Sequence, residues 1–176
     1  MSRQDPPSVT TDRLPPGEVD PQFADSLKLF TVVSRAHAAL HEKAREDVAR
    51  HGLTLTEFAV LEVLYHKGAL LLGAIREKIL ASSGGITYLV DRLADRGFVE
   101  RRECQEDRRA RYAALTPEGV EFMHRIFPEH AECLQSLIDG LTPEERKRAT
   151  ELMKKLGKGA RDAEPCGEAS SEAEPG

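Results

Sequence analysis

The stretch from Ser82 to Thr116, SSGGITYLVDRLADRGFVERRECQEDRRARYAALT, constrains the fold more than any other part of this 176-residue chain. Ile86, Leu89, Val90 and Leu93 recur at helical spacing, so one side of a helix faces a core. Gly97 supplies the backbone freedom to end that helix, and Phe98 and Val99 start a strand. A second strand follows an Arg-rich loop, and the region holds Arg101, Arg102, Arg108, Arg109 and Arg111 without a single Lys. The opening turn of the helix carries only small and polar groups, Ser82, Ser83, Gly84, Gly85 and Thr87, with Tyr88 beside them. Such a surface suits a helix whose N-terminus enters a DNA groove. Small residues permit close approach, hydroxyls bond base edges and phosphates, and the positive end of the helix dipole attracts phosphate. Gly84-Gly85, poor in helix propensity, fits close backbone approach better than a loose cap.

The rest of the chain supplies helices around this unit. A long helix is expected from Phe23, with Leu27, Phe30, Val33, Leu40, Ala44 and Val48 as its apolar stripe and His51-Gly52 as its stop. Thr54-Leu55-Thr56-Glu57 is a capping box, opening a helix that turns Phe58, Leu61, Leu64 and Tyr65 inward. A shorter helix over Leu72–Leu80 precedes the Ser82 turn, which makes a helix-turn-helix: the third helix braces and the fourth reads. Thr116-Pro117 opens the next helix, with Pro128 as a kink within it, and Thr142 to Glu145 is a second capping box starting the last one. The fold expected is therefore mainly α with a small β-hairpin wing, a winged helix-turn-helix DNA-binding domain with terminal dimerisation helices. Its bounds are 23–159, with 53–115 as the DNA-binding part and 23–51 and 116–158 as the dimerisation helices. Residues 1–22 and 160–176 read as disordered tails. The terminal helices carry more apolar face than one small domain can cover, which points to a homodimer.

Three motifs in fixed order then carry a family resemblance: DRL-x3-G-x-V-x-R from Asp91 to Arg101, EDRR from Glu106 to Arg109, and LTPEG from Leu115 to Gly119. Together they resemble the MarR family of bacterial transcriptional regulators, over roughly residues 23–158. LTEFAVLEVLYHKG, ITYLVDRL, the Cys-x-x-Asp-Arg-Arg of the wing and FPEH look most like its hydroquinone- and quinone-responsive repressors. The resemblance implies that Asp107 and Arg109 hold the wing in shape while neighbouring Arg side chains reach the minor groove. It also implies dimerisation through the terminal helices.

The DNA-facing set is thus Ser82, Ser83, Gly84, Thr87 and Tyr88 on the helix, with Arg108 and Arg111 on the wing, since a narrow minor groove suits Arg. Arg92, one turn past Tyr88, either touches a backbone phosphate or pairs with Asp91 or Asp95. Cys104 is a candidate redox or electrophile sensor. Nearby Arg residues favour its thiolate while Glu103 and Glu106 oppose it, so an ordinary wing thiol is the other reading. Cys133 reads as a small apolar residue and Cys166 has no assigned role.

Charge alone points to no partner. The net charge is −5, but residues 1–22 contribute −2 and residues 160–176 contribute −4, leaving +1 on the body. Phosphate binding depends on the local field, so a near-neutral body with an Arg wing is compatible with duplex DNA. No phosphate loop, zinc-protease or nucleophile-elbow motif is present, and no enzyme, cofactor or metal is expected. His37 and His41 lie one helical turn apart but lack a third ligand nearby in sequence. Unpaired Cys spacing, no apolar signal core and no membrane-spanning run suggest a cytoplasmic protein. The function expected is a sequence-specific repressor on a near-palindromic operator, released by a small aromatic effector or by thiol modification. The effector's expected seat is the crevice between the dimer helices and the winged domain. The rival reading is a winged helix that docks a protein instead of DNA.

Overall fold

The computed structural model describes residues 20–79, 85–103 and 111–164. In chain order these form α1 (Pro21–Ala49), α2 (Leu55–Lys67), β1 (Leu70–Leu71), α3 (Leu72–Lys78), α4 (Ile86–Asp95), β2 (Val99–Glu103), β3 (Arg111–Leu115), α5 (Pro117–Leu137) and α6 (Pro143–Asp162). The expected helices and the two wing strands are all there. Differences lie mostly at edges. Helix α1 begins at Pro21 on an Asp20 cap rather than at Phe23, and α6 continues to Asp162, three residues past the expected body.

One strand escaped the sequence reading. Leu70-Leu71 pairs antiparallel with β3, opposite Ala113 and Tyr112, so the sheet has three strands in the order β1-β3-β2. Two residues are too few to show an alternating pattern, and the sheet they join is built forty residues later in the chain. Strands β2 and β3 pair from Val99–Leu115 to Glu103–Arg111, which sets the stem of the wing.

Both capping boxes form as read. Thr54 Oγ1 accepts the Glu57 amide at 3.2 Å, and Glu57 Oε2 accepts the Thr54 amide at 2.8 Å. Thr142 and Glu145 repeat the arrangement at the start of α6. Phe58, Val60, Leu61 and Leu64 of α2 lie at the centre of the core. Val48, Ile75, Val90, Leu93, Val99, Ala113, Met123 and Ile126 close around them.

The stripe on α1 divides in two. Ala44 and Val48 are buried, whereas Phe23, Leu27, Phe30 and Leu40 stand in solvent, Phe30 at 73%. Leu134, Ile138, Leu152, Met153 and Leu156 of the last two helices are likewise exposed.

Two contacts tie the wing and the terminal helices to this core. At the head of α5, Gly119 packs so closely on the Phe98 backbone that a Cβ there would overlap the Phe98 carbonyl. The glycine of the LTPEG motif is thus a close-approach residue. Phe98 also stacks on Phe122 at 4.3 Å between ring centres. At the other end of α5, buried His130 donates through Nδ1 to Asp47 Oδ2 at 2.6 Å, and its ring lies 4.3 Å from that of Phe58. Burial opposes ionisation of Asp47, but the hydrogen bonds from His130 and Arg50 prevail and hold its carboxyl below the ordinary range.

Gly119→Ala must push the Phe98 backbone off α5 and should lower stability by about 2 kcal/mol or more, as overpacked sites do, seen as a fall in denaturation midpoint. A carboxyl whose pKa is depressed by folding stabilises above its unfolded value and loses that contribution as pH falls through the folded one. Wild-type stability should therefore drop below about pH 4. Asp47→Asn should remove about 2 kcal/mol at pH 7 and flatten the acid-side fall, measured by urea unfolding at both pH values.

Candidate nucleic-acid interface

Helix α4 starts later than its sequence suggested. Ile86 is its first residue and Gly85 is the cap, with φ 130, a conformation that an L side chain rarely adopts. The helix turns Val90 and Leu93 fully inward and half-buries Ile86 and Leu89, as the spacing predicts. Its opposite side presents Thr87, Tyr88, Asp91, Arg92 and Asp95 to solvent, Tyr88 at 63% exposure. Thr87 and Tyr88, both expected to face DNA, are exposed. Helices α3 and α4 both pack on α2 and on each other, the geometry of a helix-turn-helix.

Three arginines fasten α4. Arg92 reaches back to the fully buried Glu57, Nη2 to Oε1 at 3.2 Å, and its guanidinium lies 5.8 Å from the centre of the Tyr88 ring. It therefore pairs with neither Asp91 nor Asp95, the two partners its sequence position offered. Arg96 donates to the Gly52 carbonyl at 3.0 Å, which ties the end of α4 to the turn between α1 and α2. Arg101, on β2, meets Asp91 at 2.6 Å and donates to the Thr87 carbonyl at 3.3 Å.

These pairings change the electrostatics of the wing. Of the five Arg residues in that stretch, Arg101 is held by Asp91, and Arg102 is held by Glu100 with its Nε at 2.8 Å. Arg111 is exposed at the start of β3, opposite Glu103 in the ladder. Ser82, Ser83, Gly84, Cys104, Asp107, Arg108 and Arg109 lie outside the described residues.

Behind the reading unit lies a seam that the sequence did not reveal. Tyr65 and His66 of α2 meet His124 and Phe127 of α5, with ring centres 4.9 to 5.7 Å apart across the helices. These residues stand at i and i+1 on one helix and at i and i+3 on the other, and nothing in either spacing signals the other. Cys133, half-buried rather than packed away, sits by Asp47, and burial together with that carboxylate pushes its thiol pKa up. A separate apolar groove of about 550 Å³ lies among Leu40 of α1, Ile138, Leu141 and Met153 of α6. It falls between the terminal helices and not in the crevice expected for an effector. The His37 and His41 rings are 5.5 Å apart on exposed α1, and among the described residues no three His, Cys, Asp or Glu side chains converge as metal ligands. No described helix is long and apolar enough to cross a membrane.

A buried three-helix core, a three-stranded sheet and an outward-facing second helix define a winged helix-turn-helix unit mounted on long flanking helices. A profile described as MarR family matches residues 51–110. The HTH-type transcriptional regulator MhqR of Bacillus subtilis is 43% identical over 136 residues, 77% of this chain and 94% of that protein. The uncharacterized HTH-type transcriptional regulator YkoM of the same organism is 38% identical over 132 residues, 75% of this chain and 86% of its own length. The chain belongs to the MarR family of transcriptional regulators. The fold agrees. A MarR family regulator from Streptomyces coelicolor, Sco3205, solved in complex with DNA, superposes with a TM-score of 0.73 at 24% identity, covering 81% of this chain and 92% of that one. A mutant MarR from E. coli complexed with operator DNA gives 0.66 at 22% identity, covering 78% and 99%.

Proposed function

We propose that this protein is a dimeric, sequence-specific DNA-binding repressor whose α4 helices enter successive major grooves of a near-palindromic operator. The observation that carries this reading is the surface of α4: Thr87 and Tyr88 are exposed at its first turn on a helix rigidly fixed to the core. Arg111 opens β3 as a wing contact, with Arg108 assigned the same role from the sequence. Ser82, Ser83 and Gly84 complete the reading surface as the sequence motif assigns them. The DNA complexes of two proteins with the same fold support this placement.

The second copy covers the apolar stripe that one chain leaves open, from Phe23 to Leu40 on α1 and over Leu152, Met153 and Leu156 on α6. The groove between Leu40 and Met153 becomes part of that contact. Half-sites then fall about one helical turn apart.

Release follows binding of a small phenolic or quinone compound. This rests on the motifs shared with the quinone-responsive repressors and on the 43% identity to MhqR. The aromatic seam of Tyr65, His66, His124 and Phe127 supports a ring-shaped ligand where reading unit and dimer helices meet. A thiol route would run through Cys104, because burial and the Asp47 carboxylate oppose ionisation of Cys133.

The test is a titration of the full chain against duplex DNA from just upstream of its own gene, at two salt concentrations. It is repeated with methylhydroquinone under reducing conditions and with benzoquinone. Binding that weakens steeply with salt and is lost with either compound is expected. Loss with benzoquinone alone would move the effector chemistry to the thiol, and salt-insensitive or absent binding would favour a protein-docking role. Arg111→Ala should weaken binding and make the salt slope shallower by about 0.9 for each phosphate contact removed. Phe30→Glu places a charge on the open stripe, so light scattering should report a folded monomer and operator affinity should fall at least tenfold.

A further inference from the structure

Reading DNA from α4 requires that the helix hold one rotation about its own axis, and three elements of the structure bear on that rotation. Side chains alternate along β2, so Arg101 leaves the strand on the same face as buried Val99, toward α4 rather than away from the protein. Its Nη2 meets the Asp91 carboxylate at 2.6 Å and the Thr87 carbonyl at 3.3 Å, two groups one helical turn apart. One guanidinium thus spans a full turn of the helix. Its Nε is buried and has no hydrogen-bond partner among the described residues. From α4 itself, Arg92 reaches the buried Glu57 of α2.

We infer that Arg92 and Arg101 are positioning residues for DNA recognition: they fix the rotation of α4 against α2 and the wing, and they do not contact phosphate. Asp91 belongs to the same device. An acid on the exposed side of a DNA-reading helix repels the duplex, and here its charge is met by a cation from the adjoining strand. This separates the arginines of the motif stretch into two groups. Arg92, Arg101 and, through Glu100, Arg102 are occupied within the protein, while Arg111 faces outward.

The inference rests on α4 being the DNA reader, and the experiment keeps the two apart. A duplex is first selected from random sequence with the wild-type full chain, and Tyr88→Ala is measured on it. Failure to select any duplex, or undiminished binding by Tyr88→Ala, would overturn the α4 reading and the brace with it. Asp91→Asn is then titrated at several salt concentrations. By charge alone, removing a carboxylate beside the phosphate backbone should tighten binding. The brace requires the opposite, a loss of at least fivefold with the salt slope unchanged. Arg92→Gln should behave the same way. Arg101→Asp should lose more than tenfold, and the charge swap of Arg101→Asp with Asp91→Arg should recover most of that loss. Asp91 and Arg92 are half-exposed, so their variants carry the test even where Arg101→Asp does not fold. Asp91→Asn binding as tightly as wild type or tighter, or a slope shallower by about 0.9 per contact in Arg92→Gln, would overturn the brace while leaving α4 as the reader.

Discussion

A carboxylate with no solvent exposure sits at the first turn of α2, and the arrangement of the reading unit depends on how its charge is met. Glu57 Oε2 accepts from both the amide and the hydroxyl of Thr54, and Oε1 faces Arg92 across the interface with α4. Left unmet, a buried carboxylate is several kcal/mol unfavourable. The positive end of the α2 dipole helps; Thr54 bonds one oxygen, and Arg92 meets the other as an ion pair without a hydrogen bond. The start of α2 and the rotation of α4 are therefore one problem with one solution. A sequence that keeps the capping box but loses the arginine leaves half of that charge stranded.

Continuity of packing extends from this point to the terminal helices. The end of α4 is bonded through Arg96 to the α1–α2 turn, and Phe98 passes from the end of α4 into a stack with Phe122 of α5. Further along α5, His130 joins Asp47 of α1 while its ring rests on Phe58 of α2. Every step is a side chain packed at van der Waals or hydrogen-bond distance. Shifting α1 against α5 cannot leave α2 unmoved, because the same imidazole touches all three helices. A dimer released, as proposed, by moving its two reading heads relative to each other needs such a joint. Here it is made of an aspartate and a histidine 83 residues apart.

What could be read from the chain was local. Thr54–Glu57 and Thr142–Glu145 are capping boxes because their partners lie three residues apart, and the apolar spacing of Ile86 to Leu93 places α4 by itself. Thr87 and Tyr88 followed from that spacing and are exposed as expected. The brace residues were visible only as charges. Arg101 and Asp91 find each other because β2 returns across α4, and no periodicity encodes that return. The sequence offers Arg92 a phosphate or the acids of its own helix, and no spacing points to Glu57, 35 residues earlier, as its partner. The same limit hid Leu70-Leu71, whose pairing depends on β3, and the aromatic seam between α2 and α5. Of the five arginines of the wing stretch, two are neutralised within the sheet and helix, by partners that a count of charges does not identify.

The division of the α1 stripe has a consequence for dosage. Residues 44 and 48 are covered by the chain's own core, but the stretch around Phe30 is not, so on the two-copy reading full burial is second order in protein. Below the concentration at which copies pair, halving the amount of chain would cut the assembled form about fourfold by mass action. Occupancy of a two-site operator would then respond to synthesis and dilution as a threshold rather than in proportion. The sharpness of the response would reside in a helix outside the proposed reading surface.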